Sequence, residues 1–168
     1  MHTSIGLIAL VTLIVAASAA AQDRPNHEDE ILAAQFLVGT WNCADTVGDH
    51  AGTYITTITP LFGGRWLRQV YTWPVSRSMP KGLHGEFFLG FDPRNGKWIR
   101  QGVLDDGMYF AMTGRRVDNV WTYGYSLPST VGTAVYTKVS ETAYTVLGPS
   151  YPENGRQVTE RHGCHKQG

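Results

Sequence analysis

The chain lacks an excess of charge of either sign. Its 168 residues include 14 Lys and Arg and 14 Asp and Glu, so the formal net charge at pH 7 is zero. The basic residues are scattered along the chain and form no run. Nucleic-acid binders and proteins that dock on anionic membranes normally present a basic patch. The composition therefore argues against both nucleic acid and a membrane surface as partners.

Common catalytic and cofactor-binding motifs are also missing. The sequence contains no Ser-His-Asp arrangement, no phosphate-binding loop and no dinucleotide-binding fingerprint. An enzyme built on this chain is therefore expected to work without a cofactor. Stretches with helical periodicity are few, whereas 19 Gly and 8 Pro are present. This balance favours many short strands joined by tight turns.

Cysteine is scarce, and its two positions are informative. Cys43 and Cys164 lie near opposite ends of the chain, and in an oxidising compartment we expect them to form a disulfide. Such a bridge would bring the first strand next to the last, as a closed barrel requires. A loop of roughly 120 residues corresponds to about 4–5 kcal/mol in the chain-entropy treatment. The alternative is a zinc site that adds His162 and His165, although their spacing is not that of a structural zinc motif.

The N-terminal residues 1–21 read as a cleaved signal peptide. An apolar core from Ile5 to Ala17 is followed by small residues that offer Ala-Xaa-Ala cleavage sites, and the preferred cut follows Ala21. The apolar run is shorter than the ~20 residues of a membrane span. We therefore predict an exported protein, periplasmic or secreted, with no membrane anchor after cleavage. Residues 22–168 are predicted to form one domain, and its oligomeric state is left open.

The predicted fold is all-β. Only residues 26–36 favour a helix, with Asn26 as the N-cap, acidic residues in the first turn, and Ile31, Leu32 and Phe36 for burial. Beyond Trp41, strands are predicted at 41–47, 53–61, 65–73, 85–92, 97–105, 108–117, 120–127, 133–139, 142–148 and 157–164. With no helical crossover between them, these strands predict a closed antiparallel meander barrel of about ten strands, with the short helix covering one end.

Turn signals allow residues to be paired across the strands. Asp106-Gly107 predicts a two-residue hairpin loop, which would place Val103 opposite Phe110 and Gln101 opposite Met112. Turns at 93–96 and 118–119 extend the alignment to four strands. The shared face is then Phe88, Ile99, Val103, Phe110, Met112, Trp121, Tyr123 and Tyr125, and its apolar character marks it as the inside. The opposite face, with Lys97, Arg100, Thr113 and Arg115, is predicted to be solvated.

The predicted inner face also carries polar groups. Glu86 and Gln101 lie on it, His84 is two residues before Glu86, and Arg68 is a possible partner for that carboxylate. A mostly apolar pocket with a few convergent polar groups is the usual form of a small-molecule site. The predicted ligand-binding residues are Arg68, Glu86, Phe88, Gln101, Val103, Phe110, Met112, Tyr123 and Tyr125, and the predicted ligand is a small apolar or aromatic molecule.

Two alternatives remain open at this stage. The first is a cofactor-free isomerase, cyclase or lyase acting on an apolar substrate in the same cavity. Glu86 or His84 would then be the general base, and Tyr123 or Tyr125 would donate to a developing oxyanion. In the second, the protein is an interaction or structural module with a filled core and no ligand, and the polar groups lie at the barrel rim in water or satisfy one another.

Two segments resemble a known group of barrels. Gly39-Thr40-Trp41, after a short helix, resembles the start of lipocalins and other calycins. "GEFFLGFDPRNGKWIRQGVLDDG" (85–107) is similar to the middle of uncharacterised secreted lipocalin-like proteins of bacteria. The resemblance implies a barrel whose Trp41 packs across the closed end against a basic residue of the last strand. Arg161 and Arg156 are candidates, although pairing through the two cysteines places Lys166 nearer.

The same resemblance raises haem as a ligand, because the related nitrobindin-like barrels bind it. His84 and His162 would be the available axial ligands. The segment "ERHGCHK" (160–166) does not match the last strand of that group closely, and a lone His on a strand is more often structural. We therefore predict no cofactor and no metal.

Overall fold

Ten antiparallel strands form a closed barrel in the part of the chain that the structure describes. The structure is a computed structural model and describes residues 26–75, 80–128, 132–153 and 155–168. The strands are β1 (Gly39–Val47), β2 (His50–Leu61), β3 (Trp66–Trp73), β4 (Leu83–Asp92), β5 (Lys97–Leu104), β6 (Tyr109–Val117), β7 (Val120–Leu127), β8 (Thr133–Ser140), β9 (Ala143–Glu153) and β10 (Arg156–Lys166). Each strand pairs with its neighbours in sequence, and β1 pairs with β10 to close the sheet.

The predicted fold class is confirmed. The order of strands is a meander throughout, and the short helix α1 (His27–Ala34) precedes the first strand. A 3-10 turn, Gln35–Leu37, links α1 to β1, and a second one, Phe62–Gly64, links β2 to β3. Among the described residues, no helix is long and apolar enough to cross a membrane. The predicted signal peptide, residues 1–21, lies outside the described residues.

Helix α1 is held to one end of the barrel by a buried acid. Asn26 caps the helix as predicted, because its side chain accepts a hydrogen bond from the backbone N–H of Glu28. Glu30 is only 5% exposed. Its carboxylate accepts from Trp98 Nε1 at 2.6 Å and from Arg116 Nη2 and Nε at 2.9 and 3.0 Å. We call this helix-covered end the closed end of the barrel.

Trp41 packs in the closed end, as the resemblance implied. It is fully buried, and its indole Nε1 donates to the carbonyl of Leu37 at 2.7 Å. The basic residue above its ring is Lys166, whose Nζ lies 5.3 Å from the ring centroid. Arg161 and Arg156 do not fill this role, because β10 pairs Lys166 with Trp41 and leaves Arg161 opposite Thr46.

The predicted disulfide is present between Cys43 and Cys164. The two residues are directly opposite each other on β1 and β10, so the bridge joins the strands that close the barrel. Tyr144 OH lies 3.8 Å from the sulfur of Cys43, and Tyr54 OH lies 3.8 Å from the sulfur of Cys164. Because both sulfurs are bonded to each other, the alternative zinc site is ruled out.

Most of the predicted turns have the expected register. Asp92 pairs with Lys97 across a four-residue loop, and Val117 pairs with Val120 across a two-residue loop. Leu61 is opposite Trp66, also as expected. In the 93–96 loop the Asp92 side chain accepts from the backbone N–H of Arg94 at 2.9 Å, a bond that stabilises an Asx-type turn.

The predicted two-residue loop at Asp106-Gly107 is wrong. The loop has three residues, 105–107, and Leu104 N donates to the carbonyl of Met108 at 2.9 Å. Gly107 has a positive φ of 92°, and its N–H returns to the carbonyl of Leu104. This is a type I turn followed by a left-handed residue, a common three-residue hairpin. The Asp106 carboxylate supports it by accepting from Met108 N at 2.9 Å.

One extra loop residue reverses the faces of the preceding strands. Val103 pairs with Tyr109 and Gln101 with Ala111, instead of with Phe110 and Met112. Because side chains alternate along a strand, a shift of one residue moves every side chain to the other face. Strands β4 and β5 therefore present to the barrel interior the residues that the sequence analysis placed outside.

Candidate functional site

A cavity of about 340 Å³ occupies the half of the barrel away from α1. Seven of its 16 lining residues are Tyr, Trp or Phe. The lining residues are Tyr54, Tyr71, Trp73, Phe87, Arg100, Leu104, Met108, Phe110, Met112, Tyr125, Pro128, Tyr136, Val146, Pro149, Glu160 and His162. Trp98 and Trp121 fill the barrel toward α1. The cavity is thus bounded by a packed aromatic layer on one side.

Three of the predicted ligand-binding residues line this cavity. Phe110 and Met112 reach it from β6, and Tyr125 reaches it from β7, directly opposite Met112. Tyr123 also points inward, but it is buried deeper, in the packed layer with Leu89, Trp98 and Trp121. The β6–β7 half of the predicted inner face thus lies inside the barrel.

The inward orientation predicted for the β4–β5 half is wrong. Glu86, Phe88, Gln101 and Val103 all lie on the outer face of the barrel, and Val103 is 53% exposed. The physical reason is the three-residue loop at 105–107, which shifts the β5–β6 register by one residue. These four side chains do not contribute to the cavity.

Arg68 pairs with Glu86, but on the outside of the barrel. Arg68 Nε and Nη2 donate to the two carboxylate oxygens at 2.6 and 2.9 Å. The hydrogen bonds from Arg68 lower the pKa of Glu86, the opposite of the rise expected for a carboxylate in an aromatic lumen. His84 is exposed as well, and its ring lies near the Thr72 hydroxyl. Glu86 and His84 therefore do not reach the cavity as a general base.

Arg100, which the sequence analysis placed in solvent, is the main polar group of the cavity. Only 4% of its surface is exposed. Its Nη2 donates to the hydroxyl of Tyr71 and to Gln69 Oε1, the latter at 3.3 Å. Gln69 in turn donates to Thr56 Oγ1 at 3.2 Å. A guanidinium stays protonated in proteins, so a full positive charge lies inside the barrel.

Among the described side chains, Arg100 has no acidic partner. No carboxylate among the described residues lies within salt-bridge distance of Arg100. Its Nε is buried and donates to nothing in the described part of the chain. A buried charge without a counter-ion costs several kcal/mol, and a buried N–H without an acceptor adds to that cost.

Aromatic rings offset part of that cost. The Arg100 guanidinium carbon lies 4.0 Å from the ring centroid of Phe87, and the centroids of Tyr136 and Tyr71 are 5.4 and 5.7 Å away. Cation–π contacts of this kind stabilise a desolvated cation by about 2 kcal/mol. Gly102 makes room for the Phe87 ring, because a Cβ there would come within 2.5 Å of the ring.

Three tyrosines of the cavity, Tyr54, Tyr71 and Tyr125, are neutral hydrogen-bonding groups. Burial raises the pKa of Tyr71 well above the usual phenol value, and Arg100 only partly counters this effect. Burial likewise raises the pKa values of Tyr54 and Tyr125. Their hydroxyls therefore remain protonated at neutral pH and can both donate and accept hydrogen bonds.

A carboxylate–histidine pair lies on the opposite wall. His162 Nε2 is 2.6 Å from Glu160 Oε1, and both side chains line the cavity from β10. The Nδ1 atom of His162 is buried without a partner among the described residues. Asp45 is directly opposite His162 on β1, and burial raises the pKa of its carboxyl. This group combines a basic nitrogen with two acids.

Four features of the site were not predicted from the sequence: Gln69, Arg100, Glu160 and the position of His162 in the cavity wall. One signal was available for β4. Its odd positions Gly85, Phe87, Leu89 and Phe91 are all apolar, whereas the even positions include His84, Glu86 and Asp92. This alternation favours the odd face as the interior. Pairing β5 to β4 would then have turned Arg100 inward.

Comparisons with known proteins identify the fold and nothing more specific. No family model and no curated protein match the chain. The solved structure of a redesigned β-barrel aligns over 81% of this chain and 96% of its own, at 14% identity and a TM-score of 0.50. EF1p2_mFAP2b and mFAP1, both solved with DFHBI, align over 82% and 80% of this chain and 98% of their own. Their identities are 18% and 20%, with TM-scores of 0.33 and 0.28.

Proposed function

We infer that this protein binds a small apolar or aromatic molecule inside its barrel. The observation that carries the proposal is the aromatic-walled cavity of about 340 Å³. Its volume is in the range of small-molecule sites, which are typically mostly apolar with a few placed polar groups. A ligand-free structural module would instead be expected to fill its barrel with side chains, as the closed end does around Trp41 and Trp98.

A fluorescence titration with N-phenyl-1-naphthylamine (NPN) tests the proposal. NPN is neutral and aromatic, and its emission rises in apolar surroundings. We expect saturable binding at one site, and we expect Met112→Trp to weaken it at least about tenfold because the indole occupies the cavity. Thr113→Trp is the matched control, since Thr113 is the next residue on the same strand and faces outward.

Three results bear on the outcome. Loss of binding in Met112→Trp alone, with an unchanged far-ultraviolet circular dichroism spectrum, supports an internal site. Equal binding by both variants places the probe on the surface and contradicts the proposal. Failure of the wild-type protein to bind NPN favours the ligand-free module. Val146→Phe, on another wall of the cavity, replaces Met112→Trp where that variant does not fold.

A cofactor-free enzyme is the second candidate, and the Glu160–His162 pair favours it. An imidazole hydrogen-bonded to a carboxylate is a candidate general base, and His162 shares one cavity with the Arg100 charge. These residues replace Glu86, His84 and Tyr123 as the acid–base candidates. For any substrate found to be turned over, His162→Gln should lower kcat by ~10²–10⁴-fold. An unchanged kcat would exclude His162 as the base.

Export is proposed together with ligand binding. The apolar segment before residue 22 supports it, and a disulfide between Cys43 and Cys164 fits an oxidising compartment. Mass spectrometry of the protein recovered from a periplasmic or culture fraction should give a chain that begins at Gln22. An intact chain beginning at Met1, found with the cytoplasmic fraction, would contradict this part of the proposal.

A further inference from the structure

Arg100 points to the chemical class of the ligand. We propose that the cavity selects an aromatic carboxylate, whose acid group pairs with the guanidinium of Arg100 while its rings contact the aromatic wall. This inference rests on the proposed function, because it concerns the same cavity. It goes beyond that function by replacing a purely apolar ligand with an organic anion.

The Arg100 guanidinium has hydrogen-bonding capacity that its described neighbours do not use. A guanidinium has five N–H groups in a planar fork that matches the two oxygens of a carboxylate. Within the described residues, Nη2 is occupied by Gln69 and Tyr71, whereas the buried Nε has no acceptor. A ligand carboxylate beside the guanidinium would supply the missing negative charge. Charge-assisted bonds of this type are the strong ones.

Neighbouring side chains hold Arg100 in place inside the barrel. Gln69 and Thr56 are both almost completely buried and form a hydrogen-bonded chain that ends on Arg100. Phe87 lies under the guanidinium at 4.0 Å. Side chains held by packing and by a second layer of hydrogen bonds are a usual property of binding sites. Arg100 is therefore oriented before any ligand arrives.

The acidic group of the cavity wall lies away from Arg100. Glu160 is the carboxylate among the lining residues, and it is hydrogen-bonded to His162, beyond salt-bridge distance of Arg100. It therefore does not neutralise Arg100. The aromatic rings that surround Arg100 offer flat apolar faces, which can pack against the ring of an aromatic ligand.

The decisive experiment compares two probes of the same shape. 1-Naphthaleneacetate is an aromatic carboxylate, and 1-naphthaleneacetamide is its neutral amide. Both are titrated against the purified protein carrying NPN, and displacement gives each Kd. We expect the carboxylate to bind about 10–150-fold more tightly than the amide, the range that a hydrogen bond to a charged group provides.

Two charge-removing variants complete the design. Arg100→Met should abolish the preference for the carboxylate, because the methionine side chain carries no charge and no N–H donors. Arg115→Met removes the same charge from the outer face of the same barrel, and it should preserve the preference. Arg100→Lys keeps the charge but loses the planar fork, so an intermediate preference is expected.

The outcomes separate the two proposals. NPN binding without any preference between the two naphthalene probes overturns the role of Arg100 and leaves the binding function standing. Absence of NPN binding removes both. A preference that persists in Arg100→Met also overturns the inference. The comparison on the wild-type protein needs no variant, so the test remains decisive even where Arg100→Met does not fold.

Discussion

Glu30 and Arg116 join α1 to the barrel. The effects of their mutations on the free energy of unfolding should be strongly non-additive. Glu30 is 5% exposed and joins three donors, Arg116 Nε and Nη2 and Trp98 Nε1. Arg116→Met leaves the carboxylate with Trp98 alone. Removing one partner of a buried ion pair costs about 3–5 kcal/mol, and we expect the lower end because the Arg116 side chain retains 22% exposure.

A second substitution should restore part of that loss. Glu30→Gln in the Arg116→Met background removes the unpaired charge, while the amide oxygen still accepts from Trp98. The double variant should therefore lose only about 1 kcal/mol relative to wild type, the typical net contribution of one hydrogen bond. The rescue arises because an uncharged polar group is much less costly to bury than an unpaired charge.

Urea unfolding at equilibrium, followed by circular dichroism with the disulfide intact, measures these free energies. Arg115→Met is the control for charge, since Arg115 faces outward one residue away, and its effect should stay within about 0.5 kcal/mol. A double variant that is less stable than Arg116→Met alone would refute the buried-charge reasoning. Such a result would mean that the two residues contribute independently.

Two further predictions concern other carboxylates. Burial raises the pKa of Asp45 in the folded protein. The protonated carboxyl therefore contributes its full stabilisation below the pKa of the unfolded state, about 3.9, and this stabilisation is lost as the pH rises through the pKa of the folded state. Asp45→Asn should therefore raise the free energy of unfolding at pH 7 and change it little near pH 3. Asp49→Asn is the exposed control, and a pH-independent effect of Asp45→Asn would contradict the assignment. Glu86→Gln should leave the Kd for NPN unchanged and alter stability by no more than about 0.5 kcal/mol, because Glu86 lies outside the barrel. A weakened Kd for NPN would place Glu86 in the site after all.

The fold was predictable because its determinants are local and redundant. Turn residues such as Asp92 and Gly96 define hairpins by their own backbone chemistry, and the two cysteines at the chain ends require the first and last strands to meet. The same pairing correctly indicated Lys166 as the neighbour of Trp41. None of these inferences depends on knowing which way a strand faces.

The site was only half predictable because it depends on which face of each strand points into the barrel. A loop of two or three residues at Asp105–Gly107 uses the same residue types, yet the extra residue exchanges Gln101 for Arg100 in the interior. The alternation along β5 does not resolve this choice, since Ile99 and Val103 are apolar on the outer face too. Arg is also rarely fully buried in proteins. The groups that stabilise Arg100 in the interior come from three other strands, so the sequence of β5 alone does not indicate its burial.

Methionine methyl NMR tests most directly whether a ligand binds inside the barrel. Met112 is 1% exposed and Met108 is 48% exposed, and both line the cavity. With ¹³C-methyl methionine and assignment by Met→Leu substitution, saturation with 1-naphthaleneacetate should shift both methyl signals with one common Kd. Shifts confined to the exposed Met108, or no shift at Met112 at saturation, would contradict a ligand site inside the barrel.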